Sequence, residues 1–404
     1  MNNNPQMEEW SSKMSSTRRR LPALSTWLGS HRLRATVPAL LLTLGVLAGC
    51  GSSSSSSGTA SQAAGGSTSS SSASSGVDRA KTFLAQMTAN HVNVSDPIKA
   101  KIPTGISVDW ISCGYQTCAT LASDAADAGK QLGWNVKFVD AGLTPAAWQQ
   151  AAATVVRAKP DYAVVAGIDA SVIRAQVAQM TKEGVKVLGF ATTPVPGFIG
   201  MVRPARWNIN YGKAAAAYII ANSGQKNPII GFANTTEFTA NRQNALGIHE
   251  AIKEFCPGCQ YKQVEIPATA PGKDAAQLVL NYLRGNQDVH WMILATDGIA
   301  LGLPSALDSA GIGKSTKLVS LFPSSVSIPL LKNGQMNAVL ATNDAASSWD
   351  TIDALARIAA GDSAAQPTAA TAVPLALVTP SNVAAALPAG PGNWRSQFLS
   401  LWGK

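Results

Sequence analysis

From about residue 105 onward, short apolar runs alternate with stretches in which apolar residues recur every three or four positions. The clearest instance is Pro160 to Phe190. Tyr162 to Ile168 is a valine-rich run of the kind that forms strands covered on both faces. Asp169 and Ser171 can cap the next helix, on which Val172, Val177 and Met180 share one face. Gly184 stops that helix, and Val185 to Phe190 is a second buried strand. Strand, helix and strand within about thirty residues predict a βαβ unit with parallel strands and a right-handed crossover. Ligands in open sheets of this kind sit beyond the carboxyl ends of the strands. Gly167 to Ala170 and Ala191 to Pro194 therefore fall on the rim of a candidate site.

The same rhythm runs on both sides of this unit. Before it come a strand at Ile106–Ile111, a helix at Cys118–Leu132, a strand at Asn135–Val139 and a helix at Pro145–Ala158. After it, strands are predicted at Pro228–Ala233, Tyr261–Ile266, Trp291–Ala295, Lys317–Leu321 and Met336–Ala341. Helices are predicted at Asn210–Ala221, Asn241–Phe255, Lys273–Arg284, Ile299–Ala310, Val326–Lys332 and Ser347–Gly361, with one further strand at Val373–Val378. Such alternation predicts an α/β fold of two doubly wound parallel-sheet lobes with a cleft between them. A chain of 404 residues is long enough for both.

The first hundred residues differ in kind. A basic region ends at Arg34, and an apolar run of about fourteen residues, Ala35 to Ala48, is too short for a comfortable membrane span. It closes in Leu47-Ala48-Gly49-Cys50, which resembles the bacterial lipobox, so 1–50 is expected to be a lipoprotein signal peptide with Cys50 lipidated. Met14 is an alternative start, and Arg18-Arg19 is compatible with twin-arginine export. Residues 51–76 are almost wholly Ser, Gly, Ala and Thr and are expected to form a flexible tether. Residues 77–103 are a lead-in, starting with a helix at Asp78–Ala89. The net charge of +9 is partly local: six cations against two anions give residues 1–49 a net +4. The remaining charge is spread thinly with no basic run, and nucleic acid is not an expected partner.

Besides Cys50, the chain has Cys113 with Cys118 and Cys256 with Cys259. Two short-range disulfides are the leading reading for an exported chain, and a four-cysteine zinc site is the alternative. Cys256-Pro257-Gly258-Cys259 also has the C-x-x-C redox spacing, against which stands a stapled turn after a helix.

Several segments together resemble the type I periplasmic binding proteins of the ribose- and galactose-binding group, over roughly residues 104–380. Pro160-Asp161-Tyr162-Ala163-Val164-Val165 is similar to that family's third strand, with Asp169-Ala170 as the polar step after it. Gly184-Val185-Lys186-Val187-Leu188, Arg242 with Gly247, Asp297-Gly298-Ile299-Ala300-Leu301-Gly302 and Leu331-Lys332-Asn333-Gly334-Gln335 resemble later family motifs in the family's order. The resemblance implies a hinge of three strands crossing near 203–210, 341–345 and 370–374. The implied lobes are 104–204 with 343–372, and 205–342 with 373–404. It also implies a ring of ligand-binding positions. Arg242 matches the arginine that reaches into the cleft, while Thr296 replaces an asparagine, Ala191 (followed by Thr192) and Phe322 replace aspartates, and Thr342 with Asn343 replaces a glutamine. Losing carboxylates makes the cleft more apolar and suits a ligand with an apolar body or an anionic group. Tyr115, Gln116 and Trp207 are candidates to bracket it, and Asp297 is expected to cap a helix rather than act as an acid.

No nucleophilic triad, H-E-x-x-H, P-loop or G-x-G-x-x-G surrounds His91, His249 or His290, so an enzyme is disfavoured and no metal or cofactor is expected. The expected protein is a monomeric, extracytoplasmic, lipid-anchored solute-binding protein serving a permease of the ATP-binding-cassette type. The alternative is a surface sensor presenting its bound solute to a membrane kinase.

Overall fold

The computed structural model describes residues 68–89, 96–362, 375–383 and 392–404. Residues 1–50, expected to be a signal peptide ending at Cys50, lie outside the described residues, as do most of the expected tether and His91. A helix, α1 (Thr68–Met87), comes first. The first sheet then builds up through β1 (Ser107–Ser112), α2 (Gln116–Leu132), β2 (Asn135–Asp140), α3 (Pro145–Ala158), β3 (Tyr162–Ala166), α4 (Arg174–Lys182), β4 (Lys186–Phe190) and β5 (Phe198–Val202). Its strands are all parallel, in the order β2-β1-β3-β4-β5. The βαβ unit at β3–β4 is as the pattern predicts, because Tyr162 to Ala166 is buried along its whole length. Asp169 accepts a hydrogen bond from Ser171 N and turns the chain into a short 3-10 segment, Ala170–Ile173, before α4.

The second sheet is built from α5 (Ala205–Asn222), β6 (Ile229–Asn234), α6 (Thr239–Phe255), β7 (Gln260–Glu265), α7 (Ala275–Gly285) and β8 (Trp291–Leu294). It continues with α8 (Leu303–Ser309), β9 (Lys317–Ser320), α9 (Ser327–Lys332), β10 (Ala338–Thr342), α10 (Asp344–Ala359), β11 (Leu375–Val378) and α11 (Trp394–Leu401). Strand order is β11-β10-β9-β8-β6-β7, parallel except for β11, which runs antiparallel along the edge. Both sheets reverse strand order once, between β1 and β3 and between β6 and β8, which marks two topological switch points.

Helix α5 is buried nearly all round from Tyr211 to Ile220, as expected of a helix covered on several sides. It meets α6 at two glycines. A Cβ on Gly247 would stand 1.8 Å from the Ile209 carbonyl oxygen, and one on Gly212 would stand 2.1 Å from that of Asn244. Only glycine permits backbones to approach so closely.

Three differences from expectation concern the chain's ends and one strand. Helix α1 begins at Thr68, inside the stretch expected to be tether, and its Ala80 and Leu84 join the core of the second lobe. Residues 373–404 were expected with the second lobe, yet α11 packs on the first: Trp394, Phe398, Leu401 and Trp402 join Trp349 and Ile352 of α10 in the core over the first sheet. There Trp349 offers a ring that Trp402 stacks on at 5.3 Å. Strand β5 was not predicted, because Phe-Ile-Gly-Met-Val is short and comes directly after Pro196-Gly197. Two expected interlobe passes fall between β5 and α5 and between β10 and α10. A third, between α10 and β11, runs outside the described residues. The terminal helices add two more, so elements on opposite lobes succeed one another five times along the chain.

Candidate functional site

A cavity of about 90 Å³ lies beyond the carboxyl ends of strands from both sheets. The first lobe contributes the loop after β1 (Cys113 to Cys118), Gly167 after β3, and Phe190 with Ala191 after β4. The second contributes Phe238, Ala240 and Asn241 at the start of α6, Ala295 and Thr296 after β8, and Phe322 after β9. Sites for drug-sized ligands run from about 300 Å³ upward, so an occupant of that size needs the lobes to part. The walls are predominantly apolar and aromatic.

Cys113 and Cys118 form a disulfide, as do Cys256 and Cys259, which removes the zinc and free-dithiol alternatives. The first disulfide lines the cavity and staples the loop that carries Tyr115. The Tyr115 hydroxyl donates to the Ala268 carbonyl at 2.6 Å, and its ring lies 5.4 Å from Phe238. Burial, together with the Glu237 carboxylate, pushes the Tyr115 phenol well above its ordinary range and keeps it neutral.

The polar centre is Arg203, which the sequence reading missed. It sits just past β5 in the left-handed backbone region (φ 48°) and is only 5% exposed. Its guanidinium lies between the rings of Phe190 (5.2 Å) and Trp207 (4.5 Å). It donates to Asp344 Oδ1 at 2.9 Å and to Ser347 Oγ at 2.5 Å, both on α10. Its Nε–H is buried and has no hydrogen-bond partner among the described residues. Ala191 (φ 47°) and Phe322 (φ 45°) are also left-handed. Thus, among the described residues, three of the four non-glycine residues with positive φ line this cavity, and such strain concentrates at functional sites.

Of the twelve ligand-binding candidates from the sequence, Tyr115, Ala191, Thr296 and Phe322 line the cavity. Trp207 lies one layer back, against Arg203. Gln116 is exposed on the first turn of α2. Thr192 is buried, donating to the Ile168 carbonyl and accepting from Ala170 N at 3.0 Å. Thr342 donates to Asp344 Oδ1, and Asn343 caps α10 by accepting from Ala346 N. Asp297 is a cap, though not of the helix expected: its carboxylate accepts from Ser324 and Ser327 at the start of α9. Arg242 lies outside the cavity lining and pairs with Asp169 of the other lobe, Nη2 to Oδ2 at 2.5 Å. Residues the sequence reading missed include Phe190, Arg203, Phe238, Asn241 and Asp344. Phe190 and Asn241 stood at predicted element ends and could have been found there. Arg203 and Asp344 fell on the implied crossings near 203–210 and 341–345, but their pairing, across 141 residues, left no local signal.

Residues 112–363 match the family model described as "Periplasmic binding protein domain". No curated protein matches the chain in sequence. Among solved structures, a glucose-galactose binding protein from Geobacillus stearothermophilus is 14% identical with a TM-score of 0.61, over 71% of this chain and all (100%) of that one. A periplasmic ribose ABC transporter from Conexibacter woesei is 16% identical (TM-score 0.61), covering 74% of this chain and 98% of that chain. A 5-methylthioribose transporter solute binding protein from Thermotoga lettingae, solved with 5-methylthioribose, is 13% identical (TM-score 0.61), covering 77% and 96%. At these identities the likeness is one of fold.

Proposed function

Because the chain belongs to the family of periplasmic binding protein domains, we propose that it is the lipid-anchored solute receptor of an importer of the ATP-binding-cassette type. Its ligand is a small molecule with an apolar, ring-sized body and one hydrogen-bond-accepting end. The observation that carries this reading is the cavity at the paired switch points, walled by Tyr115, Phe190, Phe238 and Phe322, with the unpartnered Nε–H of Arg203 beside it. An unmet buried donor favours an acceptor over an apolar group. The Arg203 charge is already matched by Asp344, so the acceptor need not be anionic. Tyr115, Ala191, Thr296 and Phe322 are the sequence candidates we retain as ligand contacts, and Phe238 and Asn241 join them. Anchoring rests on Leu47-Ala48-Gly49-Cys50. Loss of radiolabelled palmitate incorporation in Cys50→Ser would support it, and retained label would refute it.

The deciding experiment is calorimetric titration of the purified chain with a panel of sugars, polyols, 5-methylthioribose, and neutral and anionic aromatic compounds. One-to-one binding of an apolar-bodied compound, weakened about tenfold or more by Phe238→Ala, is the expected outcome. Binding restricted to unmodified sugars would overturn the ligand class. Turnover of any compound would overturn the receptor reading.

A further inference from the structure

At the cavity's rim the two lobes bond directly to each other. Asp169, at the carboxyl end of β3, accepts from Arg242 Nη2 of α6 at 2.5 Å. Both terminal nitrogens of that guanidinium have further acceptors on its own lobe. Nη1 donates to the carbonyls of Thr236 and Glu237, and Nη2 donates to Thr239 Oγ1 at 3.0 Å. The other Asp169 oxygen accepts from Ser171 N at 3.0 Å and Ser171 Oγ at 2.7 Å. Beside the ion pair, the hydroxyls of Thr193 in the first lobe and Thr239 in the second are 2.7 Å apart. Both terminal nitrogens of Arg242 therefore face protein acceptors, and neither charged partner lines the cavity.

We infer that Arg242 and Asp169 are positioning residues: they clasp the lobes together at the cavity rim and set the balance between open and shut forms without touching the ligand. Arg242 is fixed to its own lobe by two carbonyls, so it presents a preorganised fork to a carboxylate that Ser171 holds in place. Such a charge-assisted contact is made only when the lobes meet. A ligand then binds with the affinity of the shut form scaled by the fraction of molecules in it.

The clasp can be tested without any ligand, so its failure is distinguishable from a wrong solute assignment. In the full chain, Thr193→Cys/Thr239→Cys places one thiol on each lobe at a position where the hydroxyls are 2.7 Å apart. The four cysteines of the body are already paired. After unfolding in urea, dialysis and refolding to strip carried solute, the rate of copper-phenanthroline crosslinking is measured by peptide mass spectrometry. We expect Arg242→Met and Asp169→Asn each to slow it about tenfold, as losing one charge-assisted bond implies, and Arg242→Lys to slow it less. Equal rates in all four backgrounds would overturn the inference. Asp169→Asn also alters the cap of a turn, so Arg242→Met, on a half-exposed side chain, decides the matter should that variant fold poorly. Unchanged alkylation of the two thiols after urea unfolding serves as the control for thiol reactivity.

Discussion

At the scale of single residues, the site depends on charges held in unusual surroundings. Arg203 is a buried cation between two aromatic faces, and its carboxylate partner among the described residues is Asp344. Asp344→Ala leaves that cation uncompensated and should cost about 3 kcal/mol, measured as the shift in urea midpoint at constant m. Asp169 gives a pH signature. Burial favours its neutral form, but hydrogen bonds from Ser171, Thr193 and Arg242 outweigh that and hold its pKa below the ordinary carboxylate value. A depressed folded-state pKa means the contribution is complete above the unfolded value, about 3.9, and is lost as pH falls through the lower folded value. The stability gap between the parent chain and Asp169→Asn should therefore be flat from neutrality to about pH 4 and close below it. A gap that closes between about pH 7 and pH 5 would assign the titration to another group. Asp169 was legible in the sequence as a polar step after a valine run. Arg203 was legible only as part of an implied crossing and not as the polar centre, because one arginine after a short strand gives no periodic signal and its partners lie 141 and 144 residues away.

Elements were easier to read where they are buried on both faces. Strands β3 and β8 are continuous apolar runs, β4 and β6 are so apart from Lys186 and Asn234 at their ends, and each was predicted within a few residues. Helix ends were blurred where the chain uses 3-10 turns, as at Asp297–Ala300, which the helical spacing merged with the helix after it. The contact between α5 and α6 shows a constraint that no periodicity reveals. Gly247 reads as a family motif in the sequence, while in the fold it is where α6 rests on the Ile209 carbonyl. Gly247→Ala must push two buried helices apart and should destabilise the second lobe by about 3 kcal/mol. Because α6 also carries the wall residues Ala240 and Asn241 as well as Arg242, the same substitution should weaken solute binding in calorimetry. A variant with unchanged melting and binding would mean that the helices part freely.

At the scale of the whole molecule, two lobes with matching strand orders place their switch points face to face; the alternation of apolar runs made the two lobes and the cleft legible, but not the strand orders. The destination of the chain's ends was not legible either, since an isolated amphipathic helix does not say which lobe will cover it. Helix α11 buries Trp394, Phe398, Leu401 and Trp402 on the first lobe, and Trp402 Nε1 donates to Asp353 Oδ1 at 2.7 Å. At about 1.5–3 kcal/mol per large buried side chain, its loss rivals the whole stability of a typical domain. Removal of residues 393–404 should split thermal unfolding into two calorimetric transitions, with the first lobe melting early. A single transition at the original temperature would show that this helix contributes little.

Helix α1 rides on the second lobe through Ala80 and Leu84, whereas the final residues ride on the first. A fluorescent donor on Ser75→Cys and an acceptor at Lys404 would thus sit on opposite halves of the clamp. Energy transfer between them would track each capture and release of solute in real time.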